Sequence, residues 1–178
     1  NPIAEGGTGF MPVATSKAGN LVARAICGLR GEDYRSKLLD GMGVGAYAKA
    51  IEGAETPLDW LSYRQENVDA YIADEACGFM FSAGGYATVT SLTAEVCDLA
   101  CATRVPRTLP LLFIAGDADP VGNWGKGVRT VFDRFKGIGM QDVTIKMYPE
   151  MRHEIHNEPG KEAVWQDISS AIELWSGK

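Results

Sequence analysis

The tightest constraint on this chain is an unbroken apolar run, Leu111, Leu112, Phe113, Ile114 and Ala115, set between Pro110 and the turn Gly116-Asp117-Ala118-Asp119-Pro120. Consecutive apolar residues leave no wet face, so the run predicts a strand buried on both sides, as in a parallel sheet covered by helices. Gly, Asp and Pro end it abruptly. The carboxyl ends of such strands are where open α/β sheets hold their ligands, which makes Asp117 and Asp119 candidates for chemistry.

The residues that follow complete a βαβ pattern. Trp124, Val128, Val131, Phe132 and Phe135 recur at helical spacing, and Gly137 and Gly139 stop that helix. Val143, Ile145 and Met147 then alternate with Thr144 and Lys146, a strand with one wetter face that reads as a sheet edge. Two strands joined by one helix are parallel with a right-handed crossover, so both end at the same rim. Asp119 leaves the first strand there and His153 follows the second. An imidazole whose Nδ1–H is held by a buried carboxylate has a fixed tautomer, and its Nε2 is left to deprotonate a hydroxyl nucleophile.

Upstream the chain reads as helices. Ala18, Leu21, Val22, Ala25, Ile26 and Leu29 form one stripe ending at Gly31, and Val89, Leu92, Val96 and Leu99 mark another, entered through Gly84-Gly85. Ser62-x-x-Gln65 reads as a capping box before Val68, Tyr71 and Ile72. Gly41, Gly43 and Gly45 follow no buried strand, so helix packing is preferred over a phosphate loop. Residues 1–12 read as an irregular Gly-rich lead-in without a strand. At the other end Asn157 is expected to cap a helix with Glu158 and Pro159 in its first turn and Val164, Ile168, Ala171, Ile172 and Trp175 on its buried stripe.

The stretches IAGDADPVGNWGKGV and VTIKMYPEMRHEIHNE resemble the C-terminal part of the monoacylglycerol lipase and lysophospholipase-like serine hydrolases, a family of α/β-hydrolase fold. Looser likenesses lie at Leu58-Asp59-Trp60-Leu61-Ser62 and Cys77-Gly78-Phe79. Acid before histidine, each after one of the last strands, is the order of α/β-hydrolases. The resemblance implies Asp119 as the acid and His153 as the base, with Asp117 the runner-up acid and His156 a neighbour. It implies a helical cap over residues 1–104 and the C-terminal βαβα part of the core over residues 105–178. Met11, Trp60, Phe79, Met80 and Phe81 suit the lining of an acyl pocket, although such side chains on helices are more often plain core.

Composition narrows the alternatives. The 178 residues are 46% hydrophobic and 22% charged, enough for one ordinary globular core, and a net charge of −6 argues against nucleic acid as a partner. Cys27, Cys77, Cys97 and Cys101 form no C-x-x-C pair and read as reduced thiols, in keeping with a cytoplasmic protein. No apolar run approaches the roughly 20 residues of a membrane helix. The spacing His153-Glu154-Ile155-His156 is not the helical H-E-x-x-H of a zinc site, and neither metal nor cofactor is expected.

One part of the resemblance has no counterpart in these residues. The G-x-S-x-G elbow that carries the family's nucleophile does not occur, and none of the serines follows a buried strand into a helix. The serine and the oxyanion hole are therefore expected on a missing N-terminal half, as a separate chain or an omitted segment. The fragment alone is expected to be inactive and poorly stable or self-associated, because the run 111–115 would lack a neighbour on one side. The expected function is hydrolysis of small acyl esters, such as monoacylglycerol or lysophospholipid, by a Ser-His-Asp triad. Another α/β-hydrolase chemistry (dehalogenase or peroxidase) and a non-catalytic binding module are the alternatives.

Overall fold

The computed structural model describes residues 3–6, for which only the backbone is considered, and residues 9–177. Three parallel strands form the sheet: β1 (Ile3–Gly6), β2 (Leu111–Gly116) and β3 (Val143–Tyr148), in spatial order β1-β2-β3. Leu111 pairs with Val143 and Gly116 with Tyr148, so β2 and β3 end level with each other. All six residues of β2 are buried, while β3 alternates between half-buried and exposed positions until Tyr148. The buried central strand and the wetter edge strand are as the apolar run and the alternation predict.

β1 corrects the reading of residues 1–12. Ile3 to Gly6 register with Leu111 to Ile114, so β2 is the middle strand and has neighbours on both sides. The argument for instability from an unpaired run 111–115 loses its premise. The sheet also begins inside the span 1–104, ahead of the helices.

Each face of β2 is covered by one helix, and the period-two side-chain direction of a strand decides which residues meet which helix. Leu111, Phe113 and Ala115 pack with Val128 of α6 (Lys126–Gly137) and with Met140. Leu112 and Ile114 pack with Tyr148, Met151 and Ile155 and with Val164 of α7 (Lys161–Ser176). Two expected helix starts shift. Trp124 lies before α6, half exposed with φ 51°, and α7 begins after Gly160 (φ 83°), so Asn157 to Pro159 form a turn and do not cap a helix.

Between β1 and β2 lie α1 (Val13–Arg30), α2 (Lys37–Met42), a 3₁₀ segment Val44–Ala50, α3 (Gln65–Ala73), α4 (Ala83–Val96) and the short α5 (Leu99–Ala102). Gly31 ends α1 with φ 90°, as its position after the stripe predicts. The residues buried between these helices are Ala23 of α1, Leu39 of α2, and Ala83 and Tyr86 of α4. Leu21, Leu29, Leu92 and Val96, taken from sequence as buried stripes, are exposed among the described residues. Asn20 Nδ2 donates to Ala87 O at 2.6 Å and to Thr90 Oγ1 at 3.2 Å, a polar link between α1 and α4.

Candidate active site

The rim where β2 and β3 end is built by a close backbone crossing. Asp117 N donates to Tyr148 O and Ala118 N to Met151 O, both at 3.0 Å, which lays the segment after β3 over the turn after β2. Gly116 permits this, because a Cβ there would overlap the carbonyl oxygen of Met151 and stand 2.7 Å from that of Arg152. Met151 and Ile155 anchor this segment in the apolar layer under α7, and His153 lies between them.

His153 Nδ1 lies 3.0 Å from Asp119 Oδ2. The other oxygen of Asp119 accepts from Val121 N at 2.8 Å, and the side chain is 1% exposed, so the carboxylate is fixed and dry. An acid in that position makes Nδ1 the protonated nitrogen. The imidazole is 28% exposed and remains within reach of an incoming group.

Asp117, the runner-up acid, is exposed and accepts from Glu150 N at 2.7 Å, so it braces the turn and leaves His153 to Asp119. Glu150 itself is held at φ 61°, an uncommon conformation for a residue with a Cβ. His156 is exposed. Among the described residues no group of three His, Cys, Asp or Glu side chains could hold a metal ion.

Of the five residues considered for an acyl pocket, Trp60 meets the site. Its ring centroid is 5.2 Å from that of His153 and 5.3 Å from that of Tyr47, and its Nε1 is buried without a hydrogen-bond partner. Burial, followed by the negative charge of Asp119, raises the Tyr47 phenol above its usual pKa. Met11, Phe79 and Phe81 are exposed and Met80 is half-buried, with the Phe79 and Phe81 rings 6.1 Å apart. An apolar cavity of about 250 Å³ lies between α5, β2 and α6, lined by Phe10, Val105, Phe113 and Phe135 among others and by none of these five residues.

The sequence reading missed the strap that holds His153. Residues 59–63 run beside the histidine segment, with His153 N donating to Trp60 O at 3.4 Å and Glu154 N to Leu61 O at 2.8 Å. Arg152 Nη1 donates to Asp59 O at 2.6 Å and to Ser62 O at 3.2 Å, and its guanidinium lies 3.7 Å from the centre of the Tyr63 ring. Asp59 is held by the amides of Glu55 and Thr56 and by the Thr56 hydroxyl. Burial works to raise its pKa, and these bonds together with the Arg152 charge outweigh it and hold the carboxyl below the usual range. The capping box at Ser62 does not form: α3 has no side-chain cap, and the Ser62 hydroxyl donates to Glu158 Oε2 at 3.2 Å.

The parallel sheet with helices on both faces, and the Asp119–His153 pair at its carboxyl rim, have the arrangement of an α/β-hydrolase. The fold matches a thermostable carboxyl esterase from Bacillus coagulans with a TM-score of 0.83 at 24% identity, over 99% of this chain and 56% of that one. It matches a lipase in its open form with a TM-score of 0.77 at 22% identity, over 95% and 54% of the two chains. A monoglyceride lipase from Saccharomyces cerevisiae aligns with a TM-score of 0.61 at 12% identity, over 97% and 55%. Residues 15–160 match the hydrolase family described as serine aminopeptidase, S33, and the chain belongs to that family. A monoacylglycerol lipase from Mycolicibacterium smegmatis is 40% identical over 68 residues, 36% of this chain and 22% of that protein. The chain thus spans about half the length of the solved relatives, and its 68-residue match covers about a fifth of the lipase.

Proposed function

We propose that this chain supplies the acid and base of a serine hydrolase that cleaves acyl esters such as monoacylglycerol or lysophospholipid. The observation that carries the reading is the pair itself, His153 Nδ1 at 3.0 Å from an Asp119 carboxylate that is 1% exposed. His153 Nε2 takes the proton of a serine hydroxyl from outside this chain as the oxygen attacks the ester carbonyl, and then passes it to the departing alcohol. Asp119 holds the tautomer and stabilises the transient imidazolium. A water deprotonated by the same Nε2 then releases the acid. The likeness to a monoacylglycerol lipase favours esters over peptides as substrate.

The helices between β1 and β2 act in this reading as the cap, and β1 joins residues 105–178 in the core. Trp60 walls the histidine and is the best placed of the aromatic residues to meet substrate. Four free cysteines support a reducing, cytoplasmic setting.

The test uses the complete protein, with its upstream half. It should be labelled by a serine-directed phosphonate and should hydrolyse short or medium acyl esters. Asp119→Asn should keep the fold and lower turnover on the order of 10⁴-fold, because the wrong tautomer then faces the serine. His153→Ala should fall at least as far and His156→Ala should change little. A protein that carries the serine elbow yet takes no label would replace this reading with a binding role.

A further inference from the structure

Glu158 is a buried carboxylate that the proposed triad does not use. It is 1% exposed and sits in the turn before α7. Its Oε1 accepts from Arg152 N and from Tyr63 N, each at 3.0 Å, and its Oε2 accepts from the Ser62 hydroxyl at 3.2 Å and from Tyr63 N at 3.1 Å. One side chain therefore joins the residue before His153 to the strap at positions 62 and 63. Asn67 Nδ2 adds a parallel tie, donating to Asn157 O at 2.9 Å and to Ser62 Oγ at 3.1 Å.

We propose that Glu158 is a positioning residue for His153, clamping the segment that carries the imidazole to the strap whose Trp60 backs its ring; the proposal rests on the acid–base reading above. His153 is fixed on three sides by this arrangement. Its backbone donates to Trp60 O, Arg152 before it is held by Glu158, and Glu154 after it is held by Leu61 O. The ring is then free to turn about its own side-chain bonds only, and Asp119 sets that turn.

The chemistry of the residue suits the task. An ionised carboxylate accepts on both oxygens, whereas a glutamine of the same shape must aim an NH₂ group at one set of donors. Glu158→Gln thus leaves buried donors unmatched with almost no change in volume. A displacement of the imidazole by even 1 Å is costly, since proton transfer needs hydrogen-bond contact with the nucleophile.

The experiment measures steady-state hydrolysis of a p-nitrophenyl acyl ester by the complete protein and its variants, with thermal melting recorded for each. Glu158→Gln should lower kcat about 10²-fold with KM little changed. Ser62→Ala, which keeps the carboxylate and removes one donor, should lower kcat in the same direction by less, and it decides the matter if Glu158→Gln fails to fold. In a His153→Ala background Glu158→Gln should cause no further loss, because both changes act through one imidazole. Unchanged kcat in both variants, or an equal fall with and without His153, would overturn the positioning role. Active wild-type protein with dead His153→Ala and unaffected Glu158→Gln sinks that role alone. Wild-type protein with no activity and no phosphonate label, or His153→Ala as active as wild type, sinks the acid–base reading and the positioning role with it.

Discussion

The β2–α6–β3 unit and the α1–α4 pair bury their surfaces in different ways. In the first, large side chains fill the space between sheet and helix, with Phe113 and Val128 almost fully enclosed and the Phe113 and Phe135 rings 5.7 Å apart. In the second, Ala23 and Ala83 lie at the contact, the Thr90 methyl is 3.5 Å from where a Cβ at Gly19 would stand, and Asn20 bonds across. Leu21 and Leu29 are left 72% and 82% exposed. A fully buried leucine contributes roughly 1.5–3 kcal/mol, which these two do not do among the described residues. The rim thus stands on a deep core, whereas α1 and α4 meet around Ala23, Ala83 and Tyr86, with Leu39 beside them.

This contrast can be broken by truncation in the two regions. Phe113→Ala should cost about 3–5 kcal/mol in urea unfolding, the range for an enclosed aromatic residue, while Leu92→Ala on α4 should stay within about 0.5 kcal/mol. Comparable losses at both positions would mean that the outer face of α4 is covered in solution. A smaller effect sharpens the picture at the sheet edge, where Asp167 pairs with Lys146 at 2.5 Å and accepts from the Tyr148 hydroxyl at 2.8 Å. The bond from Lys146, and then that from Tyr148, lowers the pKa of Asp167 below its usual 3.8. A depressed carboxylate adds stability above the unfolded value and loses it as pH falls through the folded one. Asp167→Asn should therefore lower the unfolding free energy from urea titration at pH 6, by less than about 1 kcal/mol for so exposed a pair, and the gap from wild type should close as pH falls from 3.8 through the lower folded value. A gap that persists at low pH would assign the effect to packing instead.

The parts legible in sequence are those set by a rule that holds along the chain. The unbroken apolar run marked β2 as buried on both faces, and the parallel pairing that a βαβ unit imposes brought Asp119 and His153 to one rim although nothing local links them. β1 was missed because four residues ending in glycine carry too short a pattern, and pairing with β2 is what makes them a strand. Ser62 was misread because the capping pattern S-x-x-Q is local, while its hydroxyl is claimed by Glu158 from 96 positions away. Glu158 looked like a first-turn acid for the same reason. Leu21 and Leu92 have the right spacing for buried stripes, but α1 turns Ala23 inward and α4 turns Ala83 and Tyr86 inward, and periodicity alone cannot tell which face a neighbour will choose.

Gly116 carries a consequence for heredity. Every other amino acid has a Cβ, and at this position that atom would fall on the carbonyl of Met151, which belongs to backbone and cannot rotate aside. No missense change at this codon is conservative: even alanine pushes the segment that carries His153 off the turn after β2. Gly28 and Gly41 differ, because a Cβ at either would meet nothing within 4 Å. Both lie in helices, where alanine should add about 0.5–1 kcal/mol. A saturation library selected for ester hydrolysis by the complete protein should leave codon 116 with glycine alone while codons 28 and 41 drift freely; recovery of active Gly116→Ala clones would show that the crossing of the two segments can relax without parting Asp119 from His153.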